Sequence, residues 1–222
     1  MGLFDGMGEL VSALFGNDAW MLQEAMRAPA AWPLGLAVTI LGGLAIALIY
    51  AKVPVIEKYL EPTVMVVSYL TIGTIIFVGV VQRFYLSGQP PWSTTLPPFL
   101  FLIMTWFGCS WNVKLRTHLA FAEFRNAMPR PLQMACLVLD AALWVAFAWV
   151  VVVTTTQETV RAAANFSIML GTDNVMQWWF LGTVPIAFLL LAGRVFENLF
   201  EDFANYRSGA PLLRQAVIGG DA

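Results

Sequence analysis

Apolar residues fill long unbroken runs in this chain, and polar residues gather between them. Five runs read as bilayer-spanning helices: Pro33 to Ala51, then from about Thr63 to Val81, Leu96 to Val113, Leu132 to Val153 and Trp178 to Gly193. A helix needs about 20 apolar residues to cross ~30 Å of hydrocarbon, and each run approaches or exceeds that length. Because the runs are continuous rather than alternating, a closed β-barrel is excluded. Past the fifth run the stripe of Phe196, Leu199, Phe200 and Phe203 continues it as an amphipathic helix. Near the N-terminus Leu3, Met7, Leu10, Val11, Leu14 and Phe15 share one helical face, with Asp5, Glu9 and Ser12 elsewhere. That pattern suits a helix lying in the membrane interface or against a partner, and its lack of cations speaks against anionic lipid. The predicted fold is an all-α polytopic bundle, a four-helix core with an additional N-terminal span.

Composition agrees with that class. The 222 residues are 59% hydrophobic and only 12% charged, with mean hydropathy +0.72, whereas a soluble domain carries about 25% charged residues. The net charge of -2 provides no basic field for nucleic acid. The acids Asp5 and Glu9 stand where a secretory signal would carry cations. Gly6 breaks the myristoylation pattern. Cys109 and Cys136 are too few for a disulfide framework and read as small apolar packing residues.

The cations set an orientation. Lys52, Lys58, Lys114, Arg116, Arg125, Arg130, Arg194, Arg207 and Arg214 fall on one side of the five spans, and only Arg27, Arg83 and Arg161 on the other. By the positive-inside rule the C-terminus is cytoplasmic and the N-terminus outside. Trp92, Trp178 and Trp179 sit at predicted outer boundaries and Trp111 at an inner one, while Trp106, Trp144 and Trp149 lie deeper, between helices.

Candidate chemistry is sparse. His118 is the one histidine, so a bis-histidine haem or a multi-ligand zinc site has too few ligands. No phosphate-binding glycine loop, nucleophile elbow or zinc-protease helix appears. No cofactor and no enzymatic activity are expected. Asp140 lies about two turns inside the fourth run, where a carboxylate costs about 2.5 kcal/mol or more unless paired, protonated or wetted. Two readings stay open: a place on an ion path, or a structural pair with Lys114 or Arg116. No internal repeat is visible. Gly182 and Pro185 suit a kink in the fifth span, and Gly73 and Gly79 a close helix approach in the second. Few polar groups lie at depth, as expected of a scaffold or accessory subunit.

From about Glu61 to Gly209 the order of features resembles the small membrane subunit of tripartite ATP-independent periplasmic (TRAP) transporters, the DctQ-like family. The features are Arg83-Phe84 closing a span, Trp92 opening the next, and Trp106-x-Gly108 within it. Arg116 and His118 follow it, and Met128-Pro129 precede the next span. The text departs from the family pattern at "WSTT" after Trp92 and at "LAF" after His118. The resemblance implies two partners: a large M-type membrane subunit that carries substrate and sodium by an elevator movement, and a periplasmic binding protein that delivers an organic acid. It implies that the small subunit packs on the large one's scaffold, with the loops Leu86 to Thr95 and Thr154 to Gln177 facing the binding protein. Residues Arg83, Trp92, Trp106, Gly108, Arg116, His118, Pro129 and Asp140 are the expected structural or partner contacts. The chain then divides into an amphipathic extension (1–32), the additional span and its loop (33–60), the DctQ-like bundle (61–209) and a cytoplasmic tail (210–222). The alternatives are a membrane anchor or quinone-site subunit of a redox complex, and a stand-alone transporter.

Overall fold

A computed structural model describes residues 5–16, 18–85, 88–116 and 128–212. Five helices in it are long and apolar enough to cross a membrane. Two short helices come first, α1 (Met7–Phe15) and α2 (Ala19–Ala25), the second capped by the Asp18 carboxylate, which accepts from the Trp20 amide at 2.9 Å. The long helices follow as α3 (Ala31–Lys52), α4 (Pro54–Tyr85), α5 (Trp92–Leu115) and α6 (Arg130–Ala164). A short turn of helix, α7 (Trp178–Leu181), leads into α8 (Thr183–Ser208).

The apolar runs locate these helices well, but each long helix extends beyond its run, α4 and α6 by wide margins at one end. A single residue, Val53, separates α3 from α4, so the expected loop before Thr63 is instead helix that begins on Pro54. Proline suits a first helical turn because its missing N–H would have no partner there. Helix α6 runs on through Thr154, Thr155 and Thr159 to Ala164. Each of these hydroxyls donates to a carbonyl of its own helix, so a polar segment continues a helix that an apolar segment began. The connection after α6 therefore shortens from the expected Thr154–Gln177 to 165–177. The expected kink in the last span is present as the break at Gly182, three residues before Pro185.

Helix α8 is the axis of the bundle, packed by α3, α5 and α6, while α4 lies outside, mainly on α5. Around α8, Val184, Phe188, Leu191, Ala192 and Val195 meet Val113 of α5 with Ala148 and Val152 of α6. Small residues allow close contact with α3. A Cβ on Gly193 would stand 2.5 Å from Cγ2 of Ile46, and one on Gly43 would stand 2.9 Å from Cβ of Ala192. Such approach is how membrane helices gain dispersion energy, since lipid gives no hydrophobic push between them. Gly79 of α4 likewise faces α5, but Gly73 has nothing within 4 Å and opens outward.

The N-terminal extension is partly docked. Leu10 is buried with Met26 and Ala31, while Leu14 and Phe15, expected on the same covered face, stay exposed. Two side chains of α6 hold the segment: Trp149 Nε1 donates to the Trp32 carbonyl at 2.8 Å, and Gln157 Nε2 to that of Met26 at 2.9 Å.

Candidate functional site

The charged centre of the molecule is Arg194, on the axial helix and 0% exposed. The early start of α4 places Glu57 and Glu61, four residues apart, on one face opposite it, and Glu197 lies one turn further along α8. Arg194 Nε donates to Glu61 Oε1 at 2.9 Å and Nη2 to Glu61 Oε2 at 2.7 Å, a two-pronged fork. Nη2 also donates to the Glu57 carbonyl. Nη1 donates to Glu197 Oε2 at 2.8 Å and to Glu57 Oε1 at 3.4 Å. A guanidinium has five N–H donors, and these contacts supply an acceptor for each.

The cluster joins four helices. From α3, the Tyr50 ring lies 3.9 Å from Arg194 Cζ, and its hydroxyl donates to Glu61 Oε1 at 2.9 Å. From α5, Lys114 pairs with Glu57 and lies 4.8 Å from the Trp111 ring centre, and the Ser110 hydroxyl reaches Glu61 at 3.5 Å. Charges this deep persist because they satisfy one another; removing one partner of such a set typically costs about 3–5 kcal/mol. No donor of Arg194 is left for a ligand, so the cluster works as a polar pin. Among the described residues no group of His, Cys, Asp and Glu could hold a metal ion.

A second polar joint sits at the same end of the bundle. Arg116 ends α5 in the left-handed region (φ 54), which turns its side chain toward α8. There Nη1 pairs with the buried Asp202 at 2.8 Å and Nη2 donates to the Asn198 carbonyl at 3.1 Å. Asn198 Nδ2 answers by donating to the Val113 carbonyl at 2.8 Å. Arg130, at the start of α6, donates to the carbonyls of Asn205, Gly209 and Ala210. It thereby satisfies acceptors that the end of α8 leaves without helical partners.

The expected site residues are dispersed along the bundle. Arg116 holds the joint to α8, and His118 lies outside the described residues. Trp106 packs on Phe188 at 4.9 Å between ring centres. Gly108 is buried and lets Met65 of α4 come close. Pro129 is the residue before α6, in extended conformation. Arg83 and Trp92 stand far away, at the opposite end of α4 and α5. Asp140 is half-buried on α6. Sequence reasoning missed Glu57, Glu61, Arg194 and Tyr50. Two signals were present: an acid pair at helical spacing just before an apolar run, and an arginine with apolar neighbours on both sides in "LLLAGRVFENLF".

The opposite end of the bundle is built differently. Gly171, at φ +78, packs so closely that a Cβ would lie 2.5 Å from Cβ of Pro91. The Thr95 hydroxyl donates to the Leu170 carbonyl at 2.8 Å, so the start of α5 and the connection after α6 form one cap. Phe166 and Leu170 project from it, 73% and 78% exposed.

A family model described as Tripartite ATP-independent periplasmic transporters, DctQ component, matches residues 72–205. The match runs from within α4 to within α8, more than half of the chain, and it supersedes the redox-anchor alternative. No curated protein matches the chain.

Proposed function

The chain belongs to the DctQ family, the small membrane component of TRAP transporters, and we propose that it scaffolds a large elevator-type subunit during sodium-coupled uptake of an organic acid. A soluble periplasmic protein delivers the acid, and the large subunit carries it. The chain itself is a multi-pass transporter subunit and not an enzyme. The observation that carries the scaffold reading is the closed state of the Arg194 cluster. A carrier exposes charge to its cargo at mid-depth, whereas here the buried guanidinium has all its donors matched within the chain. The outward face of α4 carries instead an apolar surface of Val66, Leu70 and Phe77, each more than half exposed. Such a surface suits a rigid wall against lipid or a neighbouring helix bundle.

In the accompanying topology the C-terminus is cytoplasmic and the N-terminus periplasmic. The Arg194 and Arg116 joints then lie toward the cytoplasm, and the cap bearing Phe166 and Leu170 meets the binding protein. Reconstitution tests the assignment. Vesicles with this chain alone are expected to take up no organic acid, and vesicles with the large subunit, this chain and the loaded binding protein to accumulate it. Uptake by this chain alone would end the scaffold reading.

A further inference from the structure

A groove of about 640 Å³ opens sideways between the outer ends of α4 and α5. It exists because side chains that would fill the gap are missing. Gly79 of α4 offers none, and α5 opposes it with Ser93 and the short rings of Pro97 and Pro98. Its polarity is graded. Ile72, Ile76 and Phe101 line the part nearer mid-helix, whereas Arg83, Gln89 and Thr94 line the part nearer the helix ends. From Arg83 to Ile72 the helix descends roughly 16 Å at 1.5 Å per residue, about half of a ~30 Å hydrocarbon core. Arg83 is exposed and has no ion pair or hydrogen bond among the described residues, in contrast to Arg116, Arg130 and Arg194.

We infer that this groove is a binding site for a membrane phospholipid, which sets its phosphodiester on Arg83 and lays one acyl chain along Ile76 toward Ile72. The groove is formed by two helices long and apolar enough to cross a membrane, so its occupant is drawn from the bilayer. An unpaired guanidinium at a bilayer boundary selects an anion, and phosphodiester headgroups are the abundant anions at that level. A planar guanidinium fits phosphate with two parallel hydrogen bonds. The depth of the apolar part matches one leaflet, as an acyl chain requires. The site occupies the leaflet opposite the Arg194 cluster, whichever way the chain is inserted.

The full-length chain in nanodiscs containing a phospholipid with a photoactivatable acyl chain tests this. Labelling should concentrate on Ile72, Ile76 and Phe101 and spare Phe77, which is more exposed than Ile76 (68% against 52%). Arg83→Gln should lower groove labelling about ten-fold, the loss expected for one charge-assisted hydrogen bond. Ile76→Trp should block the groove by bulk. Excess inorganic phosphate should leave the labelling unchanged. Three results would overturn the proposal: equal labelling of Phe77, which marks unspecific boundary lipid; removal of the label by inorganic phosphate; or no response to Arg83→Gln. So would a photoreactive residue at position 76 that captures the large subunit rather than lipid in the assembled complex.

Discussion

Helices α4 and α8 invite comparison, because both cross the membrane and their burial runs opposite to their apolarity. In the most apolar stretch of α4 only 17% of residues are buried, against 50% in the less apolar α8. In water the oilier helix would take the centre. In a bilayer the surroundings are as apolar as the core, so apolarity does not select the axis. Fit selects it instead. Helix α8 carries Gly193, Ala187 and Ala192 where other helices come near, and Arg194 where three glutamates converge. Along its outward face α4 carries large residues, Val66, Leu70 and Phe77, that stay more than half exposed.

Substitutions on the two helices should therefore behave in opposite ways. The largest effect is expected for Arg194→Met, which strands Glu61 and Glu197 in the bundle. Thermal unfolding of the purified chain should show a loss of about 3–5 kcal/mol. Adding Glu61→Gln should restore part of it, and a single variant as stable as the parent would mean that the cluster is not a pin. Next comes Gly193→Leu, which forces a side chain into Ile46 across a 2.5 Å gap. Overpacking of this kind costs about 1–3 kcal/mol, read in the same unfolding assay together with weaker retention of α3 after proteolysis between the helices. The smallest is Gly73→Leu on α4, where nothing lies within 4 Å. Its stability should stay within about 0.5 kcal/mol of the parent. Loss of co-purification with the large subunit in that variant would add Gly73 to the partner-facing surface.

The helices were legible because the membrane imposes them: a run of about 20 apolar residues has few alternatives once every backbone group needs an internal partner. Their polar extensions were less so. At the end of α6 threonine hydroxyls find acceptors on their own helix, so a stretch that composition reads as loop stays helical. Arg116 could be singled out as a fixed contact because it follows a span directly. Its acceptors on α8, Asn198 and Asp202, lie more than eighty positions away in the chain. Arg194 was read as a topological cation beyond the end of a span. Only the packing of α4 on α5, with its first turns reaching α8, puts Glu57 and Glu61 beside it and turns a boundary charge into a buried one.

By itself the sequence determined that this chain is a helical membrane protein, where its five spans fall and which ends share the cations, because hydrocarbon acts on each segment separately. Its order of Arg83, Trp92, Trp106, Gly108 and Pro129 also carried the family. The tertiary structure alone decided which helix became the axis, which charges were matched and where the α4–α5 groove remained open. Those outcomes depend on distances between residues far apart in the chain, where one glycine or one guanidinium fork decides whether two helices touch.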